Sequence, residues 1–218
     1  MIVFDKVTYK YHYEQFELFK QLSFELKDGV NTILCGEQGG KSSICKLLCN
    51  QIIPQSGNIT ICGIQCNAQA DNGVLLLPQN PTFFEGRGVL FNIAYPLKVR
   101  RVAKLQRDII AKQLAEQFGF TADIKVKKLT CDQRRNLAIA RGLTVERQVV
   151  LFDDFFSTKQ QLQQTLELFP DAIKVILTSN ASLATGHTVV IDCGECIYQG
   201  DAEGALQACQ GIVSITKE

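Results

Sequence analysis

The chain has 218 residues, 46% of them hydrophobic and 21% charged, and its 23 Lys and Arg nearly balance its 22 Asp and Glu for a net charge of +1. A chain of this length buries about 70% of its unfolded surface, so one large domain or two small ones can form without disulfides or metal. The balanced charge argues against a dedicated nucleic-acid binder, no window of about 18 apolar residues spans a membrane, and MIVFDKVTYKYHY is too polar for a secretory signal.

Strands are expected first. VTYKY and LSFEL alternate, and Lys27, Asp28 and Gly29 form a turn. VNTILCG is a short apolar strand running into a Gly-rich loop, and SSICKLLCNQII has helical spacing that stops before Pro54. GNITICG is another strand, and GVLLL a fully buried one ended by Pro78. RVAKLQRDIIAKQLAEQFGF reads as a long amphipathic helix with Leu105, Ile109, Ile110, Leu114 and Phe118 on one stripe, and Asp132 is placed to cap the following helix, QRRNLAIARGL. Strand patterns return in QVVLFDD, IKVILTS and TVVIDC, with a helix around residues 160–169. Buried runs alternating with helices indicate an α/β fold with a mainly parallel sheet. A helical insert near residues 85–145 is expected to form a separate lobe of one domain spanning residues 1–218.

Nine cysteines stand at positions 35, 45, 49, 62, 66, 131, 193, 196 and 209. Most lie in apolar runs, where Cys acts as a small buried hydrophobe, and without an export signal they are expected as thiols. Cys62-x3-Cys66 and Cys193-Gly-Glu-Cys196 lack a convincing second half for a zinc site.

Two stretches carry chemistry. GEQGGKS, residues 36–42, lies between a strand and a helix. Glycines there let backbone N–H groups converge on phosphate oxygens at a helix N-terminus, with Lys41 on the β/γ-phosphates and the Ser42 hydroxyl on Mg²⁺. The pattern is one residue short of G-x4-G-K-[ST]; counting from Cys35 restores the spacing but puts Gln38 where a Gly usually bends back, and an ordinary strand-to-helix turn is the alternative. The second stretch, VVLFDD, ends a buried strand in Asp153 and Asp154. In a phosphate-loop protein the first acid holds Mg²⁺ and the next can polarise water.

In this order and spacing, the chain resembles the ATP-binding subunits of ABC transporters over nearly its whole length. The resemblance implies a P-loop fold with an N-terminal antiparallel β-subdomain and a helical insertion, binding ATP with Mg²⁺. It places an adenine-stacking aromatic at Tyr11 and the phosphate loop at Gly36, Gln38, Gly39, Gly40, Lys41, Ser42 and Ser43. Metal ligands fall at Ser42, Gln79 and Asp153. Gln79, in LLLPQNPTFFEG, stands at the family's Q-loop. LTCDQ, residues 129–133, stands at the signature motif, with Thr130 and Gln133 toward nucleotide. The tail, VVIDCGECIYQGDAEGAL, is similar to the family's terminal hairpin and small helix.

The departures touch the hydrolytic parts. The catalytic Glu is Asp154, the switch His is Ser179, and the paired signature glycines are Cys131 and Asp132; residues 155–160 lack the D-loop Asp. The catalytic positions are thus Asp154, Gln79 and Ser179, with slow or absent hydrolysis expected. By the same resemblance the partners are a transmembrane permease and a second ATPase subunit, like or unlike, which would hold the chain on the cytoplasmic face of a membrane. A structural or regulatory pseudo-ATPase is the alternative, and a soluble P-loop kinase a third reading that does not need the order from Q-loop to signature.

Overall fold

The structure is a computed structural model describing residues 1–36, 39–66, 72–120 and 124–209. It divides into two compact units, Met1–Leu76 with Arg147–Glu218, and Leu77–Glu146. Among the described residues no helix is long and apolar enough to cross a membrane.

The first unit holds two sheets. β1 (Ile2–Tyr9), β2 (Phe19–Leu26), β4 (Ser56–Ile61) and β5 (Ile64–Gln65) form an antiparallel sheet in the order β2-β1-β4-β5. The second sheet contains β3 (Val30–Cys35), β6 (Val74–Pro78), β7 (Val149–Asp153), β8 (Ile173–Thr178), β9 (His187–Asp192) and β10 (Glu195–Gly200), in the order β10-β9-β3-β8-β7-β6. β3 pairs in parallel with β8 and β9, and β7 with β8. β3, β7 and β8 are buried almost throughout, which explains why their sequences are largely apolar rather than alternating, with the buried Asn31, Thr32 and Lys174 side chains donating to backbone carbonyls. α1 (Lys41–Leu48) sends Ile44, Cys45, Leu47 and Leu48 into a core shared with Phe4, Phe24, Ile33 and Val175. α5 (Lys159–Leu166) precedes β8, and α6 (Ala202–Ala208) follows the β9–β10 hairpin.

The second unit is built from α2 (Val89–Val99), α3 (Lys104–Gln117) and α4 (Cys131–Gly142) around Val89, Ile93, Ala111, Ala115, Leu137 and Ala140.

Four expectations are corrected. α1 ends at Leu48, its C-cap at Cys49, several residues before Pro54. β6 is an edge strand in which only Leu77 is fully buried, and it includes Pro78, because an edge position needs no N–H on its open side. α3 turns Ala111 and Ala115 inward, with Leu114 and Phe118 half-buried beside them, while Leu105 and Ile109 face outward. Small alanines permit close helix packing, so the largest apolar side chains did not define the buried face. The cap of α4 is Thr130, not Asp132: Thr130 Oγ1 accepts from Gln133 N–H at 3.3 Å, and Gln133 Oε1 accepts from Thr130 N–H at 3.0 Å. This reciprocal capping box satisfies two donors at once. Asp132 instead accepts from Arg135 at 2.9 Å.

Candidate nucleotide site

Parallel strands that feed helices leave a crevice at their C-terminal ends, and ligands bind there in open α/β sheets. In this chain β3 ends at Cys35, β7 at Asp153 and β8 at Thr178, with Asp153 in register with Leu177 and Leu34 with Thr178. The loop after β3 and the two acids that end and follow β7 therefore meet at the C-terminal end of the sheet.

The loop is shaped by close contacts. Gly39 N–H donates to Gly36 carbonyl at 3.0 Å, and the Cys35 thiol donates to Gly39 carbonyl at 2.8 Å. A Cβ on Gly39 would lie 2.4 Å from Cys35 Sγ. Gly40, the N-cap of α1, has φ +93°, and a Cβ there would lie 2.7 Å from Phe19 Cζ. Both glycines are therefore required sterically, and Gly40 conformationally as well. Burial pushes the Cys35 thiol up to about 12, so it is a structural donor rather than a reactive thiolate. Gln38 lies outside the described residues.

Lys41 and Ser42, the first residues of α1, each meet an acid. Lys41 Nζ forms an ion pair with Asp154 Oδ2 at 3.2 Å and donates to Cys35 carbonyl at 3.4 Å. Ser42 Oγ donates to Asp153 Oδ2 at 3.1 Å. Asp154 adopts φ +44°, and its N–H donates to Leu177 carbonyl at 2.9 Å, which fixes the turn that brings its carboxylate back to Lys41. Burial raises the Asp153 carboxyl above its ordinary value; the Ser42 hydrogen bond opposes this, the Asp154 charge adds to it, and Lys41 opposes it. A half-buried carboxylate beside a hydroxyl is a hard-oxygen pair suited to Mg²⁺, and a lysine one residue earlier suits phosphate.

Tyr11 and Ser43 belong to the same cluster. Their hydroxyl oxygens are 2.9 Å apart, Lys46 Nζ lies 5.6 Å from the Tyr11 ring centroid, and Tyr9 packs edge-on at 5.0 Å. A cleft of about 270 Å³ is lined by Tyr11, Glu14, Leu18, Gly40, Lys41 and Ser42, among others. Glu14 and Leu18 were not anticipated; they lie in the connection after β1, and no motif marks them.

Ser179 follows β8 at the same end of the sheet and is half-buried. In the second unit, Gln79 is exposed just beyond β6, and the side chains of Thr130 and Gln133 form the α4 cap. Cys131 is exposed.

A family model described as ABC transporter matches residues 19–157. The molybdate/tungstate import ATP-binding protein WtpC of Thermococcus kodakarensis is 32% identical over 66% of this chain and 45% of its own length. The energy-coupling factor transporter ATP-binding protein EcfA1 of Mycoplasma pneumoniae is 30% identical over 66% of this chain and 56% of its own. The chain thus spans about half the length of the curated relatives it matches. Among solved structures, cbiO1 of Clostridium perfringens, part of the ABC transporter complex cbiONQ, superposes with a TM-score of 0.80 at 17% identity, covering 94% of this chain and 90% of that one. A bacterial Atm1-family ABC exporter with ATP bound superposes with a TM-score of 0.78 at 24% identity, covering 94% and 40%. The chain belongs to the ABC transporter family, as one of its nucleotide-binding domains. Its α/β fold, with one antiparallel and one mostly parallel sheet, is the P-loop fold of that family.

Proposed function

We propose that the chain is the ATP-binding subunit of an ABC transporter, binding Mg-ATP between two such subunits and coupling it to a membrane permease, with weak or absent hydrolysis of its own. The observation that carries this reading is the meeting of Lys41, Ser42, Asp153 and Asp154 at the end of β3 and β7. Ser42 and Asp153 would hold Mg²⁺. That ion supplies charge neutralisation of the β- and γ-phosphates when bound. Lys41 binds phosphate oxygens once it leaves Asp154, and Gly39 and Gly40 keep the loop backbone open to them. Tyr11 is the adenine platform of this reading, its hydroxyl braced on Ser43. Leu77–Glu146 is the helical subdomain, and its LTCDQ segment is offered to the partner subunit's nucleotide.

Slow chemistry follows from three substitutions. Asp154 is one methylene shorter than Glu, and a carboxylate withdrawn by about an ångström loses on the order of 10²-fold in rate. Ser179 cannot carry a positive charge toward the γ-phosphate. Asp132 sets a carboxylate where N–H donors would meet phosphate, although Arg135 offsets part of its charge. In a heterodimer with an intact homologue these defects would be shared between two unequal sites. The subunit would then lie on the cytoplasmic face of the membrane, held there by the permease.

Calorimetric titration of Mg-ATP into the chain and into Lys41→Ala tests the binding half; equal binding by both would refute it. Phosphate release tests the other half: turnover on the order of 10 s⁻¹, an ordinary enzyme rate, from the isolated chain would overturn slow hydrolysis. A second reading, a regulatory pseudo-ATPase, is favoured by the engagement of Asp154 with Lys41. It is supported if Lys41→Ala leaves assembly and transport intact.

A further inference from the structure

The α2–α3 corner of the second unit concentrates charge that the chain as a whole does not have. Within residues 98–112 stand Lys98, Arg100, Arg101, Lys104, Arg107 and Lys112 against one acid, Asp108, in a protein whose net charge is +1. Among the described residues none of the six forms an ion pair, whereas Arg134 and Arg135 in the same unit are paired with Glu85 and Asp132. Two aliphatic side chains stand out among the cations: Val99 is 64% exposed and Leu105 75%.

The corner is closed by two backbone hydrogen bonds. Arg101 N–H donates to Lys98 carbonyl and Val102 N–H to Leu97 carbonyl, both at 3.0 Å, with Arg101 at φ +61°. This is a Schellman turn, closed by the buried Leu97 and stable enough to hold an arginine where glycine is usual. Beside it, a groove of about 390 Å³ between α2 and α3 is lined by Phe91, Tyr95, Lys98, Lys104, Arg107 and Lys112, with Asp108 the one acid among its lining residues.

We propose that this corner is a docking surface for an anionic lipid bilayer. Cations near an anionic surface attract it over about a Debye length, and aliphatic side chains among them insert shallowly below the headgroups. Lys104, Arg107 and Lys112 around the groove are suited to headgroup phosphates, while Val99 and Leu105 provide the apolar contact. Neither a nucleic acid nor a free phosphate would make use of two exposed aliphatics. The surface would let the chain settle on a membrane directly, and it depends on no step at the nucleotide site.

The test is co-sedimentation of the full chain, without nucleotide, with phosphatidylcholine vesicles containing roughly one-third phosphatidylglycerol, and with phosphatidylcholine alone. Binding is expected only to the anionic vesicles, weakening steeply with salt. Each surface cation contributes about fivefold, so the triple variant Lys98→Gln, Arg100→Gln, Arg101→Gln is expected to bind on the order of 100-fold more weakly. The pair Val99→Ser, Leu105→Ser should lose roughly tenfold while keeping the salt dependence. Lys125→Gln, Lys127→Gln, Lys128→Gln, at exposed positions elsewhere in the unit, should stay within about threefold of wild type. Circular dichroism confirms that each variant is folded. No binding to anionic vesicles, equal loss in the two lysine and arginine sets, or a corner variant that weakens capture of a protein partner but not of vesicles would each overturn the proposal.

Discussion

Lys41 and Asp154 form an ion pair across the phosphate loop, Nζ to Oδ2 at 3.2 Å, with the lysine side chain 11% and the aspartate 27% exposed. The lysine expected to meet phosphate is thus already neutralised by the carboxylate expected to act on water. Nucleotide has to displace that carboxylate. Asp154→Asn should therefore tighten Mg-ADP binding by roughly 2- to 5-fold, the worth of a partly screened ion pair. ADP is the probe because it is not hydrolysed, so trapping of a slow substrate cannot mimic the effect. Asp192→Asn, another acid near Cys35, serves as a control for general charge. Unchanged or weaker ADP binding in Asp154→Asn would show that the pair does not compete with phosphate.

Gly40 is held by both conformation and space. At φ +93° with the Phe19 ring beneath it, Gly40→Ala incurs a left-handed backbone penalty and an overlap that Phe19, fully buried, cannot relieve by moving outward. Urea unfolding should show a loss of about 2–4 kcal/mol. A midpoint shift too small to resolve would mean that the loop relaxes around the added methyl.

Asp153 carries a burial cost that has a pH signature. Its carboxyl has a folded-state pKa raised above the unfolded value, chiefly by burial. Such a group opposes folding above both values, and the opposition fades as pH falls through the folded pKa. Asp153→Asn is therefore expected to melt higher than wild type at neutral pH, with the difference shrinking as the pH is lowered, while Mg²⁺-dependent nucleotide binding is lost. A difference in melting temperature that grew on acidification would contradict the sign.

The nine thiols should separate by accessibility. Cys62, Cys131 and Cys193 are exposed, whereas Cys35, Cys45 and Cys209 are buried. Burial pushes the Cys35 thiol up to about 12 and those of Cys49 and Cys66 up to about 11. Iodoacetamide at about pH 8 should add three groups rapidly to the native chain, read by intact mass, and reach the buried thiols only after unfolding. Modification of Cys35 as fast as Cys62 would show that the phosphate loop opens readily.

The α/β class, the glycine-rich turn between β3 and α1, the acids at the end of β7 and the family itself were legible in the sequence. Each depends on a short local signal: a continuous apolar run for a strand buried on both faces, glycines before a lysine at a helix start. What the sequence left open depends on atoms far apart in the chain. The α3 stripe through Leu105 and Ile109 satisfied helical periodicity, yet the packed face is the alanine one, because distance of approach rather than side-chain size decided it. Asp132 had the right chemistry for a cap, but the geometry of the turn gave that place to Thr130. The sequence likewise showed that Asp154 is short, and not where it points. Residue types and spacing are written along the chain and determine which elements form; which carboxylate meets Lys41, 113 positions away, depends on the parallel register of β7 and β8 and the left-handed turn at Asp154, and these exist only once the sheet has assembled.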